Sequence, residues 1–165
     1  MVRTALHRGS GQVTHIRELS KKLMSKGHKV EVFTRHAEID LDPIPVVRIK
    51  HPLDSIPFLR HFTFASAFTR YIKEERYDIV HTQYHPAIIA GDLTRTFKEV
   101  PHVFTFHGFA PVSIWRNPRQ KLKMIDHKVS TFLALRFNVD KIITVSHFLR
   151  RELEEHYRPT RMTLK

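Results

Sequence analysis

The segment Asp140-Lys-Ile-Ile-Thr-Val-Ser146 decides the class of fold that this sequence predicts. β-Branched residues fill Ile142–Val145, which is typical of a buried strand. Ser146 follows at once and is a good N-cap for the helix that the spacing of Leu149 and Leu153 indicates. A buried strand that passes directly into an amphipathic helix is the repeating unit of α/β proteins with a parallel sheet.

The same alternation of strands and helices runs through the rest of the chain. A helix is predicted at 12–26, and Gly27 suits the left-handed position that ends a helix. Further strands are predicted at 29–34, 46–49, 78–81 and 102–106, and further helices at 56–75, 86–97 and 118–133. Few of residues 1–6 are apolar, so the expectation is either a weak first strand or a sequence that begins late in that strand. This order predicts a Rossmann-like, doubly wound and mostly parallel α/β sheet with helices on both faces.

The composition sets the broad class of protein. The chain has 165 residues, of which 41% are hydrophobic, so residues 1–165 are predicted to form a single domain with one core. No apolar run approaches the roughly 20 residues of a membrane-spanning helix, and no secretory signal is recognised. Cysteine is absent, which excludes disulfides and thiolate metal sites. We therefore expect a cytoplasmic protein.

The charge indicates which partners the chain attracts. Its 28 Lys and Arg residues exceed its 16 Asp and Glu residues, which gives a formal net charge of +12. Such a charge attracts nucleic acid, anionic lipid head groups or phosphorylated small molecules. The cations are spread along the sequence and form no dense run of the kind found in nucleic-acid-binding tails, so nucleic acid is not the favoured partner. A basic surface that binds no particular partner is the alternative.

Three histidines are predicted at or just beyond the C-terminal ends of two strands, namely His81, His85 and His107. If those strands are neighbours, the side chains share the edge of the sheet at which this class of protein binds ligands. Hydrogen bonding to a polar substrate is the favoured function, and buried structural histidines are the alternative. No metal site is predicted, because the four-residue spacing of His81 and His85 does not fall on a helix, where it would converge.

A glycine-containing turn, Arg8-Gly-Ser-Gly11, precedes the first predicted helix. Glycines there allow backbone N–H groups to approach a ligand, and a helix N-terminus favours an anion. The turn matches neither a Walker A loop nor the GxGxxG fingerprint, so an ordinary tight turn is the alternative.

Ser146 is not part of a GxSxG elbow, so it is not predicted to be a catalytic nucleophile. The sequence has no closely spaced acidic pair of the kind that a glycosidase uses.

An aromatic and basic cluster opens the helix predicted at 118–133. Tryptophan beside several cations is typical of a surface helix that contacts anionic lipid. The alternative is a solvated helix end with its tryptophan in the core. The cluster comprises Trp115, Arg116, Arg119, Lys121 and Lys123.

Four segments, taken in order, resemble the N-terminal domain of family 4 glycosyltransferases of the GT-B fold. They are His15–Leu19 with Leu23–Thr34, Tyr77-Asp-Ile-Val-His81, Val103-Phe-Thr-Phe-His-Gly108, and Asp140–Ser146. The resemblance covers roughly residues 9–158. It implies a protein of two Rossmann-like domains that face each other across a cleft, with this chain as the acceptor-side domain.

The resemblance also implies an activity and a set of site residues. A sugar would move from a nucleotide-sugar co-substrate, such as a UDP- or GDP-sugar, to a hydroxyl acceptor with retention of configuration and without a metal or another cofactor. His107 would be the catalytic residue, next to the transferred sugar. Substrate-binding residues on the cleft wall would be Gly9, Ser10, Gly11, His15, Gln83, His85, Gly108 and Ser146. Gln83 and Ser10 depart from the family pattern, which often has His and Gly at these two positions.

By the same resemblance, the nucleotide-binding residues belong to a C-terminal domain that would begin near Lys165. Because stabilisation of the leaving diphosphate is a major catalytic contribution, we expect little or no activity without such a domain in cis or in trans. An exposed interdomain face, to which the Phe-rich helix predicted at 56–75 would contribute, is expected to permit self-association. Two alternative functions are a basic module that binds nucleic acid or anionic membrane, and a stand-alone hydrolase or metal enzyme.

Overall fold

The structure is a computed structural model that describes residues 11–34, 41–53, 56, 59–72, 76–83, 85–108, 117–135 and 139–157. The side chains of residues 85, 86, 119, 123, 127, 130, 133 and 134 lie outside the description. The helices are α1 (Gly11–Ser25), α2 (Leu59–Tyr71), α3 (His85–Lys98), α4 (Pro118–Ala134) and α5 (His147–Tyr157). The strands are β1 (Val32–Thr34), β2 (Val46–Arg48), β3 (Val80–Thr82), β4 (His102–Phe106) and β5 (Lys141–Thr144).

All described strand pairs are parallel. β1 pairs with β2, while β3, β4 and β5 form a sheet in that order. Val80 lies opposite His102, and Phe106 lies opposite Thr144. The prediction of a parallel α/β sheet is confirmed. The first strand predicted at 1–6 lies outside the described residues.

Helices cover both faces of β1. Val32 packs with Val13 and Ile16 of α1, whereas the next residue, Phe33, packs with Phe64 and Phe68 of α2. Successive residues of a strand point to opposite faces, so α1 and α2 lie on opposite sides of the sheet. The same arrangement gives the doubly wound layers that the sequence predicts.

The two sheets share a hydrophobic core. One cluster of buried residues joins β1 to β3 through Phe33 and Val80, with α2 and α3 supplying Phe68 and Ala90. A second cluster packs α3 and α5 against β4 and β5. Its members are Ile88, Phe104, Phe106, Leu135, Val139, Ile142, Leu153 and Tyr157. β3 and β4, whose carboxyl ends lie next to each other, are therefore both anchored in the hydrophobic core.

Helix ends follow the local signals of the sequence. α1 stops before Gly27, which has a φ of 86° and donates its N–H to the Met24 carbonyl. Ser146 is the N-cap of α5, since its Oγ accepts a hydrogen bond from the Leu149 N–H at 3.2 Å. Pro118 occupies the first position of α4, where its missing N–H has no cost. In α3 the helix begins one residue before the predicted Pro86.

α2 differs from its prediction. The wide apolar surface of the helix predicted at 56–75 indicated burial on two sides. Phe64 and Phe68 are buried, but Phe62 is 59% exposed. Arg60 and His61 are buried instead.

Asp126 of α4 explains why these two polar side chains are buried. Its carboxylate is fully buried, accepts a hydrogen bond from the Arg60 guanidinium, and lies 3.1 Å from Nε2 of His61. Burial alone would raise the pKa of Asp126, but the hydrogen bond and charge of His61, together with Arg60, lower it to about 2. The buried charges are therefore paired, and they join α2 to α4.

Candidate functional site

The candidate site lies at the carboxyl edge of the three-stranded sheet. β3 ends at Thr82 and β4 ends at Phe106, so Gln83 and His107 follow at the same edge of two neighbouring parallel strands. α1 brings His15 to this edge, where its ring meets the ring of His107 at a centroid distance of 5.3 Å and an interplanar angle of 80°. Three of the residues that the sequence proposed for the site are thus brought together.

A chain of hydrogen bonds leads from His107 into the sheet. Nε2 of His107 lies 3.1 Å from Oε1 of Gln83, and Nε2 of Gln83 lies 3.0 Å from Nε2 of His81. Nε2 of His81 is also 2.8 Å from Oγ1 of Thr105. Gln83 and Thr105 are buried, so these bonds do not compete with bulk water.

His81 and His107, the two histidines in this series of hydrogen bonds, are kept neutral. Burial lowers the pKa of His81 to about 3, with further lowering from the neighbouring His15, His102 and His107. Burial also lowers the pKa of His107 to about 4, and His15 adds to the effect. Because an unperturbed histidine has a pKa of about 6.5, both rings are uncharged near neutral pH. His81 and His107 therefore offer hydrogen bonds without a net charge.

A second buried network supports β3 from the other face of the sheet. Oγ1 of Thr82 lies 2.8 Å from Nε2 of His102, and Nδ1 of His102 lies 3.1 Å from Oδ1 of Asp92 on α3. Gly91 allows this approach, because a Cβ at that position would lie 2.2 Å from Nε2 of His102. His102 is fully buried and has a structural role.

Gly108, which directly follows His107, has a backbone conformation that favours glycine. Its φ is 81°, a conformation that other residues rarely adopt. A Cβ there would lie 2.6 Å from Cδ2 of Leu149 on α5. The role that the structure gives to Gly108 is to position the backbone next to His107.

Other residues proposed from the sequence have simpler positions. Gly11 begins α1, with open space around the position of a Cβ, and Ser146 is an exposed N-cap. Lys121 is exposed on α4. Gly9, Ser10, Trp115 and Arg116, and the side chains of His85, Arg119 and Lys123, lie outside the described residues.

Sequence reasoning missed Thr105 and left His81 out of the list of substrate-binding residues. Thr105 precedes His107 by two residues, and the twofold alternation of a strand was the available signal. In the part of the chain that the structure describes, no three His, Asp or Glu side chains are grouped closely enough to hold a metal ion. No described helix is long and apolar enough to span a membrane.

Comparison with known proteins gives the family. The model of the family described as Glycosyltransferase Family 4 matches residues 9–164. This chain belongs to glycosyltransferase family 4. The match includes all the described elements, from α1 to α5.

Two curated relatives resemble this family 4 chain. D-inositol 3-phosphate glycosyltransferase of Geodermatophilus obscurus is 26% identical over 167 aligned residues, which cover 89% of this chain and 36% of the relative. Mannosylfructose-phosphate synthase of Agrobacterium fabrum is 30% identical over 144 residues, covering 78% of this chain and 30% of the relative. The chain spans about a third of the length of these relatives.

Solved structures of similar proteins have the same fold. Sucrose-phosphate synthase of Thermosynechococcus elongatus superposes with a TM-score of 0.77 at 21% identity, covering 99% of this family 4 chain and 46% of that chain. Anabaena HepE in complex with UDP-glucose gives a TM-score of 0.64 at 16% identity, covering 99% of this chain and 42% of its own. At these identities the comparison establishes the fold.

Proposed function

We propose that this chain forms the acceptor-side wall of a retaining glycosyltransferase. The enzyme would transfer a sugar from a UDP- or GDP-sugar to a hydroxyl acceptor. The observation that supports this proposal is the grouping of His15, Gln83 and His107 at the carboxyl edge of a parallel sheet, in a chain of family 4. That edge is where doubly wound proteins bind their ligands.

The neutral state of His107 suits sugar transfer. Positive charge develops at the anomeric carbon as the bond to the leaving group breaks. A charged imidazolium nearby would oppose that charge, whereas a neutral imidazole does not. The lowered pKa of His107 therefore favours a position beside the transferred sugar, where its ring can hydrogen-bond a sugar hydroxyl.

The second wall of the cleft is part of this proposal. The hydrogen-bonded chain from His107 to Thr105 is uncharged at neutral pH and does not by itself stabilise a leaving diphosphate. Such a group requires cations or backbone N–H donors. We propose that a donor-binding domain supplies them, in cis or in trans, and that without it this chain has little or no activity.

A transfer assay tests the proposal. Radiolabelled UDP- and GDP-sugars are offered with a panel of hydroxyl acceptors to this chain, alone and joined to the part of the Geodermatophilus relative that this chain does not cover. We expect turnover only in the joined protein and a loss of at least tenfold with His107→Ala. His156→Ala changes an exposed histidine near the end of α5 and serves as the control. Unchanged turnover in His107→Ala would remove the assigned role.

Contact with an anionic membrane surface is a second proposal, and α4 favours it. Leu122, Ile125 and Val129 are exposed at helical spacing, next to the exposed Lys121. The single acidic residue of α4, Asp126, is buried and paired, so it does not offset the cations of the helix. Exposed apolar and basic residues on one helix are typical of a membrane surface and are not required by nucleic acid.

Flotation with lipid vesicles tests the membrane proposal. We expect binding to vesicles that contain anionic lipid, weaker binding to neutral vesicles, and loss of binding with Ile125→Asp. Phe97→Asp, at an exposed apolar residue of α3, is the matched control. Equal binding by the two variants, or equal binding to neutral and anionic vesicles, would contradict the proposal. Salt-sensitive binding to duplex DNA without vesicle binding would favour the nucleic-acid alternative.

A further inference from the structure

We propose that Gln83 is a positioning residue that holds the imidazole proton of His107 on Nε2 and leaves Nδ1 as the hydrogen-bond acceptor. What this arrangement does for a substrate rests on the proposed function. The arrangement itself is a property of the described side chains. It assigns to Gln83 a role in setting the chemistry of its neighbour, beyond lining the cleft.

The two ends of the Gln83 amide have different capacities. Oε1 can only accept a hydrogen bond, so the His107 Nε2 at 3.1 Å from it must carry the proton. Nε2 of Gln83 can only donate, and it lies 3.0 Å from Nε2 and 3.4 Å from Nδ1 of His81. His81 must therefore offer at least one ring nitrogen without a proton.

His81 determines which way the amide faces. A neutral imidazole has one nitrogen that accepts, whereas an imidazolium has two N–H groups and would require the amide oxygen instead. Burial of His81 favours the neutral ring, and its pKa of about 3 agrees with that. The hydroxyl of Thr105, 2.8 Å from His81, can donate or accept and so fits either neutral form of the ring.

The protonation of His81, on the sheet, therefore determines through Gln83 which nitrogen of His107 carries its proton. The neutral His81 orients the Gln83 amide, and the amide fixes the tautomer of His107. Gln83 is only 2% exposed, so water cannot readily replace either of its hydrogen bonds. The His15 ring lies nearly perpendicular to the His107 ring, and His15 is the other titratable group at this position. A neutral His107 that donates from Nε2 has a lone pair on Nδ1, which can accept a hydrogen bond from a substrate hydroxyl.

Nitrogen-15 NMR of the histidine rings tests the proposal on this chain without substrate. We expect His107 to show a protonated Nε2 and an unprotonated Nδ1 from about pH 8 down to about pH 5, with a directly observed Nε2–H signal. Gln83→Met removes both hydrogen bonds, so that proton should exchange with water and its signal should disappear. Gln83→Glu places a carboxylate between the two histidines and should raise the pKa of both. Gln120→Met, at an exposed glutamine of α4, should change neither histidine.

Two results would overturn the proposal. One is a proton on Nδ1 of His107 in the unsubstituted chain, a result that needs no variant to fold. The other is an unchanged Nε2–H signal in Gln83→Met. The outcome is separate from that of the proposed function. If the spectra are as expected but no sugar is transferred, Gln83 keeps its positioning role and the proposed transferase function is wrong. If the enzyme is active but His107 has the opposite tautomer, the function stands and the positioning role of Gln83 is wrong.

Discussion

His15 and His107 meet edge to face, with their ring centroids 5.3 Å apart, although α1 and the end of β4 are far apart in sequence. Two imidazolium ions at this separation would repel each other, and the charge of His15 is the second cause of the low pKa of His107, after burial. The short distance between the two rings therefore opposes protonation of His107. A measurable dependence of stability on pH follows.

Stability is expected to fall as the pH is lowered from about 6.5 toward 4. In the unfolded chain His81 and His107 take up protons near pH 6.5, while the folded chain holds their pKa values at about 3 and about 4. The unfolded state therefore binds more protons in this window, and the free energy of unfolding decreases by at most about 1.4 kcal/mol per pH unit for each histidine. Urea denaturation at several pH values measures the slope.

His107→Asn tests the origin of this pH dependence, because it removes one of the two titrating rings. We expect the slope between about pH 6.5 and pH 4 to decrease with this variant. The exposed His156→Asn should leave it unchanged. A slope that is identical in all three proteins would show that His107 is not held neutral.

Asp126→Asn is expected to destabilise the fold by about 3–5 kcal/mol, because it leaves the buried Arg60 without its charge partner. Urea denaturation near neutral pH measures this loss. Asp78→Asn changes an exposed carboxylate and should stay within about 0.5 kcal/mol of the unsubstituted chain. A loss of less than about 1 kcal/mol in Asp126→Asn would contradict the buried ion pair.

Gly108→Ala is expected to cost about 1–3 kcal/mol, since its φ of 81° strains any other residue. Its Cβ would also press on Leu149. Gly11→Ala is the comparison, because nothing lies within 4 Å of a Cβ there and alanine favours a helix. Thermal unfolding should show a lower midpoint only for Gly108→Ala. Measured against Leu149→Ala, Gly108→Ala should cost less than in the unsubstituted chain, because the contact with Leu149 is gone and only the strain from φ remains.

Gly91→Ala is expected to disrupt the packing of α3 against β4. A Cβ would lie 2.2–2.6 Å from three atoms of the His102 ring, which is fixed by Thr82 and Asp92 and cannot easily move. We expect destabilisation of about 2–4 kcal/mol, as for severe overpacking of a core. Hydrogen exchange of the β3 and β4 amides measures the effect. Protection equal to that of Gly11→Ala would show that the ring has room to shift.

The order and type of the elements could be predicted because each has a local signal. β-Branched runs mark the strands, and the N-cap Ser146 and the turn at Gly27 mark helix ends. The burial of Arg60 could not be predicted in this way. Its partner Asp126 is 66 residues away in sequence, and apolar periodicity does not count charged residues as core.

The candidate site shows a similar division. Gln83 and His107 could be proposed because both follow predicted strands and fall at positions of the family pattern, although Gln83 stands where that pattern often has His. The hydrogen bonds that link Gln83 to His81, and His81 to Thr105, depend on the register of β3 against β4, which a single sequence does not specify. The edge of the sheet was therefore accessible to prediction, whereas the inner part of the site was not.

Thr82 and His81 are consecutive residues with side chains on opposite faces of β3, one bonded to His102 and the other to Thr105. A protein engineer can therefore influence the hydrogen bonds between the histidines from the side of the sheet that α3 covers. Conservative changes at Asp92 or His102 would shift β3 by small amounts while every cleft-lining side chain keeps its identity. Variant libraries at Asp92 and His102 would change the positions of the side chains in the site without changing which residues line it.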